Sequence, residues 1–243
     1  MKASTILESP LKLVKGIQKM IWPEICILCG NRLNKDEHYL CLHCLSDLPR
    51  TEYHLKPDNR ITRLALPLAP SIRSANWFYY HHDAPCHKLI HAIKYHDRPQ
   101  LARYLGREFA SELSADDFFA HNKVDIILPI PLHWTRFVKR TYNQAEMIAR
   151  GFSDITGIEV GDHLHAVRRH ISQTRGGRES RALNVEGIFG IKHSEELSGL
   201  NIAILDDVIT TGATITSAAR TLIEAGIKPV SLTFISLGAT QLR

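Results

Sequence analysis

One segment constrains the fold more than any other, because it joins an apolar strand pattern to two adjacent acids and a hydroxyl-rich turn. Asp206 and Asp207 directly follow the apolar stretch 201–205. The turn contains Gly212 and four threonines, namely Thr210, Thr211, Thr214 and Thr216. A helical pattern then covers 214–225. This strand–turn–helix order is typical of α/β sheets, in which ligands bind at the carboxyl ends of the strands.

The turn has the composition of an anion-binding site. Backbone N–H groups at a helix N-terminus, a glycine that permits close approach and threonine hydroxyls all suit phosphate oxygens. The two acids repel phosphate, so we expect them to accept hydrogen bonds from a neutral ribose diol. The predicted ligand is a 5′-phosphorylated ribose. The Gly-Lys-Ser/Thr ending of a Walker A loop is absent, and one glycine is too few for a dinucleotide-binding turn.

Four of the five cysteines form two Cys-x-x-Cys pairs near the N-terminus, namely Cys26, Cys29, Cys41 and Cys44. Two facing pairs make a closed site of four sulfurs, which predicts a structural zinc ion. A segment this small cannot form a core alone, so its folding should depend on the metal. The alternatives are buried cysteines without a ligand, a redox pair or an iron–sulfur cluster. Cys86 stands apart, and we expect it to be a small buried residue.

Strand and helix patterns alternate through the rest of the chain, which predicts a parallel sheet with helices on both faces. The predicted strands are 77–80, 124–128, 201–205 and 229–237, and the predicted helices are 84–113, 141–152 and 214–225. Three prolines favour a linker over 51–70. We expect an N-terminal helix and zinc-binding module over 1–60 and a larger α/β domain over 61–243.

The composition excludes several classes of protein. The chain has 243 residues, with 44% apolar and 23% charged residues, which is ordinary globular usage. No apolar run approaches the roughly 20 residues of a membrane helix, and the N-terminus lacks the pattern of a secretory signal. We therefore expect a cytoplasmic protein without a transmembrane segment. Residues 1–24 predict a helix packed on the protein, with a membrane-surface helix as the alternative. A net charge of +5 permits an anionic partner without requiring one.

The acid pair and its turn resemble the signature of the type I phosphoribosyltransferases, which bind phosphoribosyl pyrophosphate (PRPP). The resemblance implies an α/β fold of that type, with Asp206 and Asp207 on the ribose hydroxyls. It also implies that the 5′-phosphate lies against the turn residues Thr210, Thr211, Gly212, Ala213 and Thr214.

Motifs over nearly the whole chain resemble the ComF/GntX family of competence-associated proteins. In order, they are the cysteine pairs, Tyr79-Tyr80, Ile93-Lys94-Tyr95, Pro129–His133, Arg140–Gln144, Arg168 with Gln173-Thr174, and Arg181–Val185. At Thr141 and Tyr142 the family usually has Gly-Phe. The family implies a role in natural transformation, in which incoming single-stranded DNA passes through the cytoplasm towards recombination.

This resemblance leads to two functional hypotheses from different classes. The first is a competence-associated DNA-uptake protein that binds PRPP and single-stranded DNA and contacts DNA-uptake or recombination proteins. The alternative is an active phosphoribosyltransferase that transfers phosphoribosyl to an unidentified nucleobase or small nucleophile and releases pyrophosphate. A PRPP-sensing regulator is a third, weaker hypothesis. No residue identifies the acceptor or a catalytic group, so the sequence leaves turnover open.

The pyrophosphate of PRPP needs cations of its own, and two basic segments could face it or DNA. Their candidate residues are Arg136, Lys139, Arg140, Arg168, Arg175, Arg178 and Arg181. The second segment contains two glycines and predicts a mobile loop that closes over an anion, with a solvated surface loop as the alternative. Mg²⁺ would bridge the pyrophosphate, since it prefers phosphate oxygens, carboxylates and water. The aromatic residues are predicted as core, with base stacking as the alternative for Trp77, Tyr79, Tyr80, Tyr95 and Trp134.

Overall fold

The computed structural model describes residues 24–66, 68–69, 71–132, 141–167 and 187–240. The chain separates into two compact units, Met1–Leu48 and Pro49–Arg243. The predicted division into a module over 1–60 and a domain over 61–243 stays a prediction. The predicted N-terminal helix lies almost entirely outside the described residues. Within the described part of the chain, no helix has both the length and the apolar character needed to cross a membrane.

The described part of the smaller unit, residues 24–48, consists of tight turns and the short helix α1 (Leu42–Ser46). An antiparallel bridge joins Ile25 to Arg32. The buried carboxylate of Glu37 accepts the backbone N–H groups of Asn34 and Leu42 at 2.7 and 2.8 Å. These hydrogen bonds lower the pKa of Glu37, so the ionised carboxylate ties one turn to the start of α1.

A five-stranded sheet forms the centre of the larger unit. Its strands are β1 (Ile72–Tyr79), β2 (Ile126–Pro129), β3 (Glu159–Val160), β6 (Asn201–Ile209) and β7 (Ser231–Ala239). Their order is β1-β7-β6-β2-β3, and every neighbouring pair is parallel. A separate antiparallel pair consists of β4 (Leu164–Ala166) and β5 (Phe189–Ile191). The predicted α/β class with a parallel central sheet is therefore confirmed.

The helices of this unit pack against the sheet and against one another. They are α2 (Arg60–Ala65), α3 (Cys86–Tyr95), α4 (Pro99–Ala115), α5 (Phe118–His121), α6 (Gln144–Thr156) and α7 (Ala213–Glu224). The single helix predicted over 84–113 is wrong, because α3 ends at Tyr95. Asp97 has a positive φ of 47°, which no helix continues through, and Pro99 then begins α4.

The linker predicted over 51–70 is also wrong in part, because it contains α2. The side chain of Asn59 caps this helix by accepting the N–H groups of Ile61 and Thr62 at 2.9 and 3.2 Å. Ile61 and Ala65 on its inner face are fully buried in the core cluster. A helix of six residues is unstable by itself, so this cap and this burial explain why it forms.

Helices α4 and α6 pack closely at two glycines. A Cβ added at Gly106 would lie 2.3 Å from the carbonyl oxygen of Ile148, and one at Gly151 would lie 2.1 Å from that of Arg103. The guanidinium of Arg103 also binds Asp154 at 2.5 Å and, with Arg107, holds the pKa of that carboxyl at about 2. These contacts fix α6, whose first residues line the cavity described below.

Trp77 and Cys86 are core residues, as the sequence predicted. The indole of Trp77 stacks on Phe109 and donates to the Glu112 carboxylate at 2.8 Å, with the Arg50 guanidinium over its ring. The buried thiol of Cys86 donates to the Tyr79 carbonyl oxygen at 3.1 Å. Burial raises the pKa of this thiol to about 11, which leaves it protonated and poorly reactive.

Candidate ligand site and metal centre

A cavity of about 600 Å³ lies at the carboxyl ends of the central strands. Four of the residues predicted to bind PRPP line it, namely Asp206, Asp207, Thr210 and Thr214. The other three, Thr211, Gly212 and Ala213, form the turn into α7 and are not among its lining residues. The fold thus brings the two acids and two of the threonines to the lining of one cavity. A cavity of this size is typical of small-molecule sites.

The acids lie within strand β6 rather than after its end. The sequence predicted a strand over 201–205, but β6 continues to Ile209 and pairs Asp206 with Ser236 of β7. Acidic residues are depleted in strands, yet pairing with β7 overrides that preference here, whereas the pairing with β2 ends at Leu205. A side-chain oxygen of Asp206 accepts the backbone N–H of Asp207 at 2.8 Å, which fixes one carboxylate beside the other.

Lys94 also lines the cavity, although the sequence analysis assigned it no role in ligand binding. Its ammonium group lies 2.9 Å from a carboxylate oxygen of Asp207, and the side chains are only 20% and 11% exposed. Among the described residues that line the cavity, it is the only lysine or arginine. The sequence contained one indication of this residue, its place in the motif Ile93-Lys94-Tyr95, but that motif lies far from the two acids along the chain.

Tyr80 also lines the cavity and keeps its proton. Burial raises the pKa of its phenol, and the negative charge of Asp207 raises it further. The hydroxyl is therefore a neutral group that can both donate and accept hydrogen bonds in the site.

The turn before α7 is held by residues from other elements. Arg60 of α2 donates to the carbonyl oxygens of Thr210 and Thr240, and the Thr240 hydroxyl donates to Thr210 at 3.1 Å. Gly212 has a φ of +83° and packs against Leu64 of the same helix α2. The first N–H groups of a helix have no intrahelical partner, so the turn presents donors beside the acids.

Gly212→Ala is expected to lower the free energy of unfolding by about 1–2 kcal/mol, because its φ is unfavourable for a residue with a side chain. A Cβ at this position would lie 2.4 Å from Cδ1 of Leu64, but that atom ends an exposed side chain that can turn away at little cost. Gly226→Ala is the matched control, because its φ is +81° and no atom lies within 4 Å of an added Cβ. It should cost about the same, since the same backbone strain acts at both positions. Urea denaturation followed by circular dichroism measures both.

A second variant separates the overlap from the backbone strain. In Gly212→Ala/Leu64→Ala, the contacting methyl group is gone. Because the Leu64 side chain already yields in the single variant, the two single losses should add to within about 0.5 kcal/mol. A double-variant loss well below that sum, or a loss at Gly212 far larger than the loss at Gly226, would contradict this account of the turn.

The start of α6 connects the cavity wall to β2. The side chain of Asn143 accepts the Ala145 N–H at 3.1 Å and donates to the Ile130 carbonyl at 3.1 Å. The Tyr142 hydroxyl donates to the Ile93 carbonyl oxygen at 2.6 Å, which joins this segment to the end of α3. The predicted basic candidates Arg136, Lys139, Arg140, Arg168, Arg175, Arg178 and Arg181 lie outside the described residues.

The four cysteines of the smaller unit converge, as their spacing predicted. The sulfur atoms of Cys26, Cys29, Cys41 and Cys44 all lie within 4.8 Å of one another, and those of Cys29 and Cys41 are 3.8 Å apart. Zn–S bonds of about 2.3 Å in a tetrahedron require sulfurs about 3.8 Å apart, so the cluster has the size of a zinc site. The glycine turn at Gly30, whose φ is +77°, lets the chain fold back behind Cys29.

The thiols of this cluster differ in acidity. Burial opposes ionisation of Cys26, but backbone hydrogen bonds from Cys29, Cys41 and Leu28 outweigh it and lower the pKa of this thiol to about 6. Burial and the neighbouring sulfurs raise the pKa of Cys44. Four thiolates this close repel one another, so a bound cation is what would let all of them ionise.

The carboxyl edge of the parallel sheet presents an acid pair, a hydroxyl-rich turn and a helix N-terminus, which is the arrangement that the resemblance to the type I phosphoribosyltransferases implied. Sequence comparison adds relatives over most of the chain. The competence protein ComFC of Bacillus subtilis (strain 168) is 25% identical over an alignment of 235 positions, which covers 87% of this chain and 92% of the relative. The DNA utilization protein YhgH of Shigella flexneri is 26% identical over 210 residues, 86% of this chain and 88% of YhgH.

These relatives confirm the predicted resemblance to the ComF family of competence proteins. No family model matches the sequence. Among solved structures, the glutamine PRPP amidotransferase from B. subtilis, complexed with ADP and GMP, aligns with a TM-score of 0.39 and 18% identity. The alignment covers 60% of this chain and 30% of the amidotransferase chain.

Proposed function

We propose that this protein binds PRPP with Mg²⁺ in the cavity and acts in the cytoplasmic handling of single-stranded DNA during competence. One observation carries the proposal: Asp206, Asp207, Thr210 and Thr214 line a single cavity at the carboxyl edge of the sheet. The names of the relatives, a competence protein and a DNA utilization protein, support the proposed role with DNA. DNA-uptake or recombination proteins are the expected partners.

Each group in the cavity has a role that its chemistry supports. The two carboxylates accept hydrogen bonds from the ribose hydroxyls, and the turn donates N–H and O–H groups to the 5′-phosphate. Lys94 offsets the charge of Asp207 and so reduces its repulsion of the anionic ligand. Mg²⁺ would neutralise the pyrophosphate of the bound ligand. The seven basic candidates from the sequence remain proposed contacts for pyrophosphate or DNA.

We further propose that the four cysteines hold a structural Zn²⁺ ion. The sulfur spacing supports this metal, and the four ligands would leave no open position for catalysis. The ion would supply cohesion to this unit, since few of the side chains described over 24–48 are buried.

One observation favours an active phosphoribosyltransferase as the second candidate function. The cavity has an apolar part formed by Ala166 of β4, Phe189 of β5 and Ile188, which directly precedes β5. A planar acceptor could pack there beside the bound ribose. Transfer would form a bond from the acceptor to the anomeric carbon and break the bond to pyrophosphate, which leaves with the electron pair.

Calorimetric titration of PRPP with Mg²⁺, with and without a single-stranded oligonucleotide, tests the proposal when pyrophosphate is measured in the same samples. The proposed function predicts saturable PRPP binding, DNA binding and no pyrophosphate release. Release that depends on one added acceptor would establish the transferase instead. Absence of PRPP binding by a zinc-replete sample would refute both.

A further inference from the structure

Six rings of tyrosine and histidine form a continuous series on and beside helix α3, which we name the ring track. Its members are Tyr80, His82, His87, His91, Tyr95 and His96. Ring centroids are 4.7 Å apart for His82–His87, 4.8 Å for His91–Tyr95, 5.3 Å for His91–His96, 5.9 Å for Tyr80–His87 and 6.0 Å for His87–His91. Every ring therefore contacts at least one other.

Core packing does not account for these rings. The spacing of His87, His91 and Tyr95 is four residues, which places them on one face of the helix, while Leu89 and Ile93 are buried. Tyr95 is 63% exposed, and it is the only exposed Phe, Trp or Tyr among the described residues. Tyr80 and His87 are half-buried and the other members are exposed. The sequence had placed Tyr95 with the core aromatics, and this expectation is wrong.

We propose that the ring track is a stacking surface for the bases of single-stranded DNA. Aromatic faces stack on any base, and unpaired bases expose the faces that a duplex hides. Helix α3 contains no acid, and its exposed Lys88 can approach a phosphate backbone, whereas Lys94 is paired with Asp207 in the cavity. Asp83 and Asp97 lie just outside the helix, beside His82 and Thr141 respectively.

The track also leads to the cavity, because Tyr80 belongs to both. From His87 to Tyr95 the helix rises about 12 Å, enough for two or three nucleotides. A strand bound there would end beside the PRPP site. This inference rests on the proposed DNA-handling function and assigns that function a surface.

Two double variants at His91 and Tyr95 test the proposed stacking surface and leave Tyr80 unchanged. His91→Leu/Tyr95→Leu removes two rings. His91→Phe/Tyr95→Phe also removes the imidazole and the hydroxyl, but it leaves a phenyl ring at each position. Fluorescence anisotropy with labelled oligo(dT) gives the Kd of each, and a PRPP titration of the same samples checks the cavity. The leucine pair should weaken DNA binding by about 10-fold or more, and the phenylalanine pair should stay within about 2-fold of the wild type.

An abasic oligomer of the same length is the matched probe, since it keeps the phosphates and lacks the bases. Wild-type protein should bind it more weakly than oligo(dT), by at least the factor that the leucine pair loses, since the abasic oligomer gives up stacking on all six rings. Equal binding of the two probes, or equal loss in both variant pairs, would overturn the stacking surface. Wild-type protein that binds PRPP but no DNA would instead refute the DNA part of the proposed function.

Discussion

Replacement of both cavity acids, in Asp206→Asn/Asp207→Asn, is expected to weaken PRPP binding by at least about 100-fold. Each carboxylate is proposed to accept a charge-assisted hydrogen bond from a ribose hydroxyl, and loss of such a bond costs about 1.5–3 kcal/mol. Two losses therefore amount to about 3 kcal/mol or more, or two decades in Kd. Asparagine keeps the shape of aspartate, so strand β6 should retain its pairing. Calorimetry with PRPP and Mg²⁺ measures the effect.

The chain offers a matched control for this variant in a second pair of adjacent aspartates. Asp116→Asn/Asp117→Asn makes the same change in charge at exposed positions between α4 and α5, which are not among the cavity-lining residues. The control should bind PRPP as the wild type does, and both proteins should keep their zinc. Normal PRPP affinity in the Asp206/Asp207 double variant would refute the assignment of these acids to the ribose diol.

Cys26→Ser is expected to release the metal and unfold residues 24–48 while the strand–turn–helix at 201–225 stays intact. Structural zinc contributes about 10–16 kcal/mol of apparent binding free energy in small modules, far more than their own cores. Hydrogen exchange resolved by mass spectrometry should show loss of protection at amides such as Ile27, which donates to Tyr39 at 2.9 Å. Zinc content is measured on the same samples.

Cys86→Ser is the matched control, because Cys86 is the one described cysteine outside the cluster. It should retain one zinc per chain and normal protection over 24–48. Strand β6 should exchange slowly in both variants. A Cys26→Ser protein that keeps its full zinc content would contradict the site of four sulfurs.

Features whose chemistry lies in consecutive residues could be predicted from the sequence. The acids, the turn and the cysteine pairs each occupy a short stretch, and their spacing alone indicates an anion site and a metal site. Lys94 and Arg60 could not be predicted in the same way. Each reaches the site from a distant element, and only the folded sheet brings Lys94 to Asp207 and Arg60 to Thr210.

The errors in secondary structure have the same origin in tertiary contacts. Prolines suggested a linker where α2 forms, because the burial of Ile61 and the cap from Asn59 are not visible in composition. The helix pattern over 84–113 runs on across Asp97, where the backbone turns. Strand β6 passes through both acids because β7 pairs with it there.

A competition titration on wild-type protein tests most directly whether the cavity recognises a phosphorylated ribose. PRPP with Mg²⁺ is bound first and then displaced by ribose 5-phosphate or by 2-deoxyribose 5-phosphate, which differ by one hydroxyl group. We predict one saturable PRPP site and at least about 10-fold weaker competition by the deoxy sugar, because one hydrogen bond to a carboxylate is lost. Equal competition by the two sugars, or no PRPP binding at all, would contradict the account.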